Sequence, residues 1–156
     1  MSDRVVIDAS VALKWLFDDE ADLAPSRDLL ARFNRRDIEF VVPPHWPLEV
    51  LNGIRTAVVK RRIEPERAQV LASDFIDLGI ATTDITPHTA EIYRVAIELD
   101  RTVYDAAYVV LGERSGLDVV TADDKLGKAV SAVKPFVRHV RDYGGPDPPI
   151  PSLNAR

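Results

Sequence analysis

Apolar positions along this chain change their period repeatedly, and each change marks an element. Val5-Val6-Ile7 is an unbroken β-branched run, the pattern of a short strand buried on both faces in a parallel sheet. It stops at Asp8-Ala9-Ser10, and residues 11–17 then read as a helix without a breaker. Asp18-Asp19-Glu20-Ala21-Asp22 is a solvated acidic connector. A second helix is predicted over 25–35, with Pro25 early, where proline is tolerated, and Leu29, Leu30 and Phe33 at helical spacing. Phe40-Val41-Val42 predicts a second strand, closed by Pro43-Pro44. Leu48, Leu51, Ile54 and Val58 recur every three or four residues and mark the inward face of a helix over 48–62. Glu64-Pro65 restarts the chain in a helix reaching residue 78, with Val70, Leu71, Phe75 and Ile76 as core candidates. These two helices, joined by a short link, predict an α-hairpin.

Residues 82–85 predict a short strand, and 89–99 a helix with Ile92, Val95, Ala96 and Leu99 on one face. Thr102-Val103-Tyr104-Asp105 opens a helix over 106–114, ended by Ser115-Gly116. Asp118-Val119-Val120-Thr121 is a strand by its β-branched content, followed by Ala122-Asp123-Asp124 and a short helix over 125–132. Residues 136–140 alternate like an edge strand. Strands alternating with helices predict an α/β fold, a three-layer α/β/α sandwich around a central, mainly parallel sheet. A length of 156 residues suits one domain, placed at 1–142. From Tyr143 the composition turns to glycine and proline, so 143–156 are expected to form a flexible tail.

Composition narrows the class. Cysteine is absent, which excludes disulfides and thiolate metal sites. No apolar run approaches membrane-spanning length, and Met1-Ser2-Asp3-Arg4 lacks the pattern of a secretory signal, so a cytoplasmic protein without a membrane partner is expected. A net charge of −5 argues against nucleic-acid binding through global charge, yet leaves nucleic acid open as a substrate.

Four acids change the picture further. Asp8 and Asp123 stand just past strand ends, and Glu49 and Asp105 in or before first helical turns. In an open parallel sheet such positions gather at one edge, where ligands bind. Each acid also reads as a helix cap or dipole partner: Asp8 with Ser10, Asp105 with Thr102, Asp123 or Asp124 before Lys125. Four independent caps at one edge explain the pattern less well than one site. Converging carboxylates need compensation, because close like charges raise one another's pKa. An all-oxygen set without cysteine points to Mg²⁺, with Mn²⁺ as substitute. Such ions suit phosphodiester hydrolysis, lowering the pKa of a bound water and stabilising a leaving oxygen. Ser10 and Thr121 lie two residues from Asp8 and Asp123, placed to hold water or a phosphate oxygen, or to cap.

At these residues the chain resembles the PIN-domain ribonucleases, specifically the VapC toxins of bacterial toxin–antitoxin pairs. The matching stretches are Val6-Ile7-Asp8-Ala9-Ser10-Val11-Ala12-Leu13-Lys14-Trp15, Pro47-Leu48-Glu49-Val50-Leu51-Asn52, Tyr104-Asp105-Ala106-Ala107-Tyr108 and Val120-Thr121-Ala122-Asp123-Asp124-Lys125-Leu126, in the family's order across residues 4–141. The resemblance implies a metal-dependent endoribonuclease leaving 3′-hydroxyl and 5′-phosphate ends, with Asp8, Glu49, Asp105 and Asp123 as its acids and Thr121 as its accompanying hydroxyl. Asp124 stands beside Asp123 and can share or replace its role. The resemblance also implies a homodimer and a small cognate antitoxin of the VapB type that blocks the site.

Other features are read as structural. Arg35-Arg36 and Lys60-Arg61-Arg62 are solvated helix ends before they are phosphate contacts. Trp15, Trp46 and Tyr108 are packing residues, and His45, His88 and His139 share no ligand spacing. Two rivals of other classes fit less well. A signalling receiver carries two acids directly after its first strand and a Lys-Pro after a strand, whereas only Asp8 is present and Lys134-Pro135 precedes one. An aspartyl-phosphate phosphatase has a second Asp where Ser10 stands. A non-catalytic PIN-like binding module is the remaining alternative, disfavoured by four intact acids.

Overall fold

Strands β1 (Asp3–Ile7), β2 (Ile38–Val41), β3 (Val119–Thr121) and β4 (Val137–His139) form one sheet in the order β2-β1-β3-β4 in the computed structural model, which describes residues 2–143. All three strand pairings are parallel. Val5, Val6, Ile7, Val119 and Val120 are fully buried, as expected for central strands covered on both faces. Helices α1 (Ala9–Leu16), α2 (Leu23–Asn34), α3 (Trp46–Val59), α4 (Pro65–Asp77), α5 (Thr89–Leu99), α6 (Val103–Ser115) and α7 (Asp124–Ser131) supply the outer layers of the expected α/β/α sandwich.

The strand order creates the feature that matters for a site. From β1 the chain leaves through α1 and α2 to β2 on one side. From β3 it leaves through α7 to β4 on the other side. The carboxyl ends of β1 and β3 therefore flank a topological switch point, the crevice where ligands bind in open α/β sheets. Asp8 N–H, just past β1, donates to Val120 O at 3.1 Å, so the two strand ends are tied at that point.

Packing follows the hydrophobic pattern with two shifts. Trp15 stacks on Phe40 at 5.5 Å and Phe40 on Phe33 at 4.9 Å, while Trp46 meets Trp15 edge-on at 6.5 Å. Trp15 Nε1 donates to Ser26 O at 2.8 Å, which satisfies its one buried donor. Helix α6 is buried continuously from Ala106 to Gly112, the mark of a helix enclosed on all sides. At Gly112 any side chain would collide with Val119 and sit 3.1 Å from Leu117 O, so only glycine permits this approach to β3. Gly116, at φ +65°, ends α6 in the left-handed cap predicted for it.

The inward stripe of α3 is Trp46, Val50, Ile54 and Ala57 rather than the set starting at Leu48, which is 66% exposed. Pro47 sits inside the first turn, where its missing N–H costs nothing, so the helix starts earlier and the stripe rotates. In α4 the buried residues are Ala68, Leu71 and Phe75, with Val70 and Ile76 exposed. Residues 82–85 do not form a strand: a single bridge pairs Thr82 with Val42. Pro43 offers no donor to extend that ladder, and Asp84 turns the chain by accepting from Thr86 N at 2.9 Å and Thr86 Oγ1 at 2.6 Å. Apart from Tyr143, the proposed tail at 143–156 lies outside the described residues. Among them, no helix is long and apolar enough to cross a membrane.

Candidate active site

Asp8 caps α1 and is only 6% exposed. Its Oδ1 accepts from Ser10 N at 3.0 Å and from the Ser10 hydroxyl, and its Oδ2 from Thr121 Oγ1. The same hydroxyls reach the β3 side. Ser10 Oγ accepts from Ala122 N at 2.8 Å, and Thr121 Oγ1 from Asp123 N at 3.0 Å. Ser10 and Thr121 thus stitch the ends of β1 and β3 together around one carboxylate. These donors favour the charged form, but burial outweighs them, and with a contribution from Asp105 the Asp8 carboxyl is pushed up from 3.8 to about 6.

Asp105 stands in the first turn of α6. Thr102 is the cap of that helix, accepting from Asp105 N at 3.1 Å, so capping does not engage the Asp105 carboxylate. Burial first, then the charges of Asp123 and Glu49, raise its pKa, while Arg101 and His45 pull the other way. Arg101 sits close by through a bond from Nη2 to Lys125 O at 2.5 Å, linking the starts of α6 and α7.

Asp123 is exposed and caps α7, with Oδ1 accepting from Lys125 N at 2.8 Å and Leu126 N at 3.4 Å. Glu49 Oε1 accepts from the Tyr108 hydroxyl at 3.1 Å and lies 3.2 Å from His45 Nε2. Asp105 is therefore within electrostatic reach of Asp8, Glu49 and Asp123. Asp124 faces elsewhere: it pairs with Arg141 at 2.6 Å and His139 at 3.2 Å beside a cleft of about 330 Å³ between α7 and β4.

Asp8 and Asp123 cap helices, as two of the cap readings expect, and both carboxylates act electrostatically on Asp105 or are acted on by it. Sequence reasoning treated Tyr108 as packing and His45 as incidental, yet both reach Glu49. For His45 the signal was spacing, four residues before Glu49; Tyr108 carried none, because its partner is 59 residues away.

No lysine or arginine forms an ion pair with Asp8, Asp105 or Asp123 among the described residues, and Glu49 has only His45. All other donors in the group are carboxylate or hydroxyl oxygens, which suits a hard divalent cation. Among the described residues no three acids or histidines are gathered tightly enough to enclose an ion as they stand. Both Asp8 oxygens are already held by hydroxyls. The donor chemistry fits a cation, and closing on one requires these side chains to draw inward.

Residues 5–130 match the PIN domain family. The chain is 30% identical over 125 residues to Ribonuclease VapC12 of Mycobacterium tuberculosis, from both the CDC 1551 / Oshkosh and H37Rv strains, covering 80% of this chain and 91% of that protein. Two crystal structures share the fold. PAE2754 from Pyrobaculum aerophilum has a TM-score of 0.64 at 22% identity, covering 90% of this chain and 85% of its own. VapC20 of Mycobacterium tuberculosis, described as a sarcin-ricin loop cleaving toxin, has a TM-score of 0.60 at 14% identity, covering 86% of this chain and 98% of its own.

Proposed function

The chain belongs to the PIN-domain family, in its VapC-type group, and from that premise we propose that it is a Mg²⁺-dependent endoribonuclease, the toxin of a toxin–antitoxin pair. The observation that carries this reading is a group of acids at the crevice between β1 and β3, with Asp8 buried and in no ion pair with a basic side chain among the described residues. A divalent cation bound there would lower the pKa of a water and offset charge on a phosphodiester.

The chain's own residues do the remaining work. Asp8, Asp105, Glu49 and Asp123 would hold the cation, Asp8 and Asp105 at the greatest electrostatic gain because burial already strains their charged forms. Ser10 and Thr121 keep the Asp8 carboxylate aimed at the crevice through hydrogen bonds to both of its oxygens. Asp123 is held by its bonds to the first turn of α7 and is exposed, so it would be open to a strand of RNA. Arg101, tied to Lys125 O, keeps a positive charge beside Asp105. The products would carry 3′-hydroxyl and 5′-phosphate ends, and the partners would be an RNA substrate, a VapB-type antitoxin and a second copy of the chain.

The test is incubation of purified protein with total cellular RNA in Mg²⁺ and in EDTA, with the ends of any products mapped. Discrete products with 5′-phosphates in Mg²⁺ alone support the reading. Cleavage that persists in EDTA contradicts it.

A further inference from the structure

Glu49 is the one acid of the group held by an aromatic side chain. Its side chain is 39% exposed in the first turn of α3, where a glutamate ordinarily samples several rotamers. Here Oε1 accepts from the Tyr108 hydroxyl at 3.1 Å and stands 3.2 Å from His45 Nε2. The starts of α3 and α6 meet as a ladder, His45 and Glu49 on one side, Asp105 and Tyr108 on the other. The His45 ring packs against Tyr104 at 5.5 Å and against Tyr108 at 5.1 Å between centroids.

Tyr108 is well suited to fix a carboxylate. It is 1% exposed, so its ring has no room to swing away from α3. Its hydroxyl is protonated at neutral pH, as any tyrosine's is, and donates to Glu49 Oε1. If this position served packing alone, phenylalanine would fill it without burying a hydroxyl that needs a partner. The partner it finds is an acid of the crevice, 59 residues away in the chain.

We propose that Tyr108 is a positioning residue: its hydroxyl fixes one oxygen of Glu49 so that the carboxylate is presented to a divalent cation in the crevice it shares with Asp105. The inference rests on the metal-dependent reading above. Hydrogen-bond partners of metal-ligating carboxylates matter because they remove the orientational freedom a ligand must otherwise lose on binding, and their loss typically weakens metal affinity 10–100-fold.

The experiment is calorimetric titration of Mn²⁺ into the metal-free full-length chain, for wild type, Tyr108→Phe, Glu49→Gln and the double variant, with thermal midpoints measured alongside. Tyr108→Phe keeps the ring and removes only the hydroxyl. It is expected to weaken Mn²⁺ binding about tenfold or more while the metal-free chain stays folded, its thermal midpoint lowered by no more than the loss of one hydrogen bond accounts for. In the Glu49→Gln background the same change is expected to add nothing, because its effect runs through that carboxylate. Wild-type affinity in Tyr108→Phe, or a full further loss in the double variant, overturns the positioning role and leaves the metal reading standing. Mn²⁺ binding that ignores Glu49→Gln overturns the positioning role as well. A wild-type chain that binds no Mn²⁺ overturns both.

Discussion

Asp8 carries two duties that pull against each other. As the cap of α1 it contributes to folding through the bonds it accepts. As a buried charge with no ion-pair partner among the described residues it is a cost to the folded chain. Its folded-state pKa, about 6, stands above the ordinary 3.8, so the unfolded chain ionises first as pH rises. Stability from protonated Asp8 is therefore full below about pH 4 and is lost as pH climbs through about 6, a cost of up to about 3 kcal/mol at neutral pH without metal. Asp8→Asn should abolish cleavage and yet raise the stability of the metal-free protein at pH 7 by roughly 1–3 kcal/mol, with the gain vanishing at pH 4. The amide oxygen can keep the Ser10 bonds, and its nitrogen can donate to Thr121 Oγ1. Urea unfolding at both pH values checks this, and a variant less stable than wild type at pH 7 would refute it. Thr121→Val tests the other side of the network. It strips Asp8 Oδ2 of its donor and Asp123 N of its acceptor, so it should cost about 1–3 kcal/mol in the same unfolding assay.

At the level of elements, legibility depended on how local the determinant was. Val5-Val6-Ile7 and Val119-Val120 announce buried strands because β-branched runs have few alternatives, and the acids after them follow directly. The stripe of α3 was misread because Pro47 looks like a boundary and is instead an interior first-turn residue. The strand expected at 82–85 failed for want of a partner, since Pro43 and Pro44 end the neighbouring segment that would have paired with it. Tyr108 was not legible as a site residue because its target, Glu49, lies on another helix and only tertiary packing brings the two side chains together, whereas the spacing of His45 four residues before Glu49 stood in the sequence. The contact of α6 with β3 makes a paired prediction. Gly112→Ala should cost about 1–3 kcal/mol by overpacking against Val119 and Leu117 O. Gly127→Ala, whose added carbon would find ordinary contact 3.5 Å from His139, should be neutral or gain a few tenths to ~1 kcal/mol of helix propensity. Thermal melts of the two variants separate these outcomes, and equal effects would contradict the packing argument.

For the whole molecule, a net charge of −5 and the fate of the basic clusters point the same way. Arg35 is paired with Asp37 at 2.9 Å, and Arg62 with Asp19 at 2.6 Å and Glu20 at 3.0 Å while lying over the Phe17 ring. Arg35 and Arg62 are thus engaged within the fold, as expected of solvated helix ends. A ligand that binds only the folded chain stabilises it by mass action, about 2.7 kcal/mol at a hundredfold excess over its Kd. Mn²⁺ should accordingly raise the thermal midpoint of the wild-type chain and leave that of Asp8→Asn unmoved. The most direct test of the account is anomalous scattering from crystals of the full chain grown with Mn²⁺. The account predicts a peak in the crevice between β1 and β3, within coordinating distance of Asp8 and Asp105. A fully occupied peak elsewhere, beside Asp124 and the cleft between α7 and β4 for instance, with none in the crevice, would contradict it.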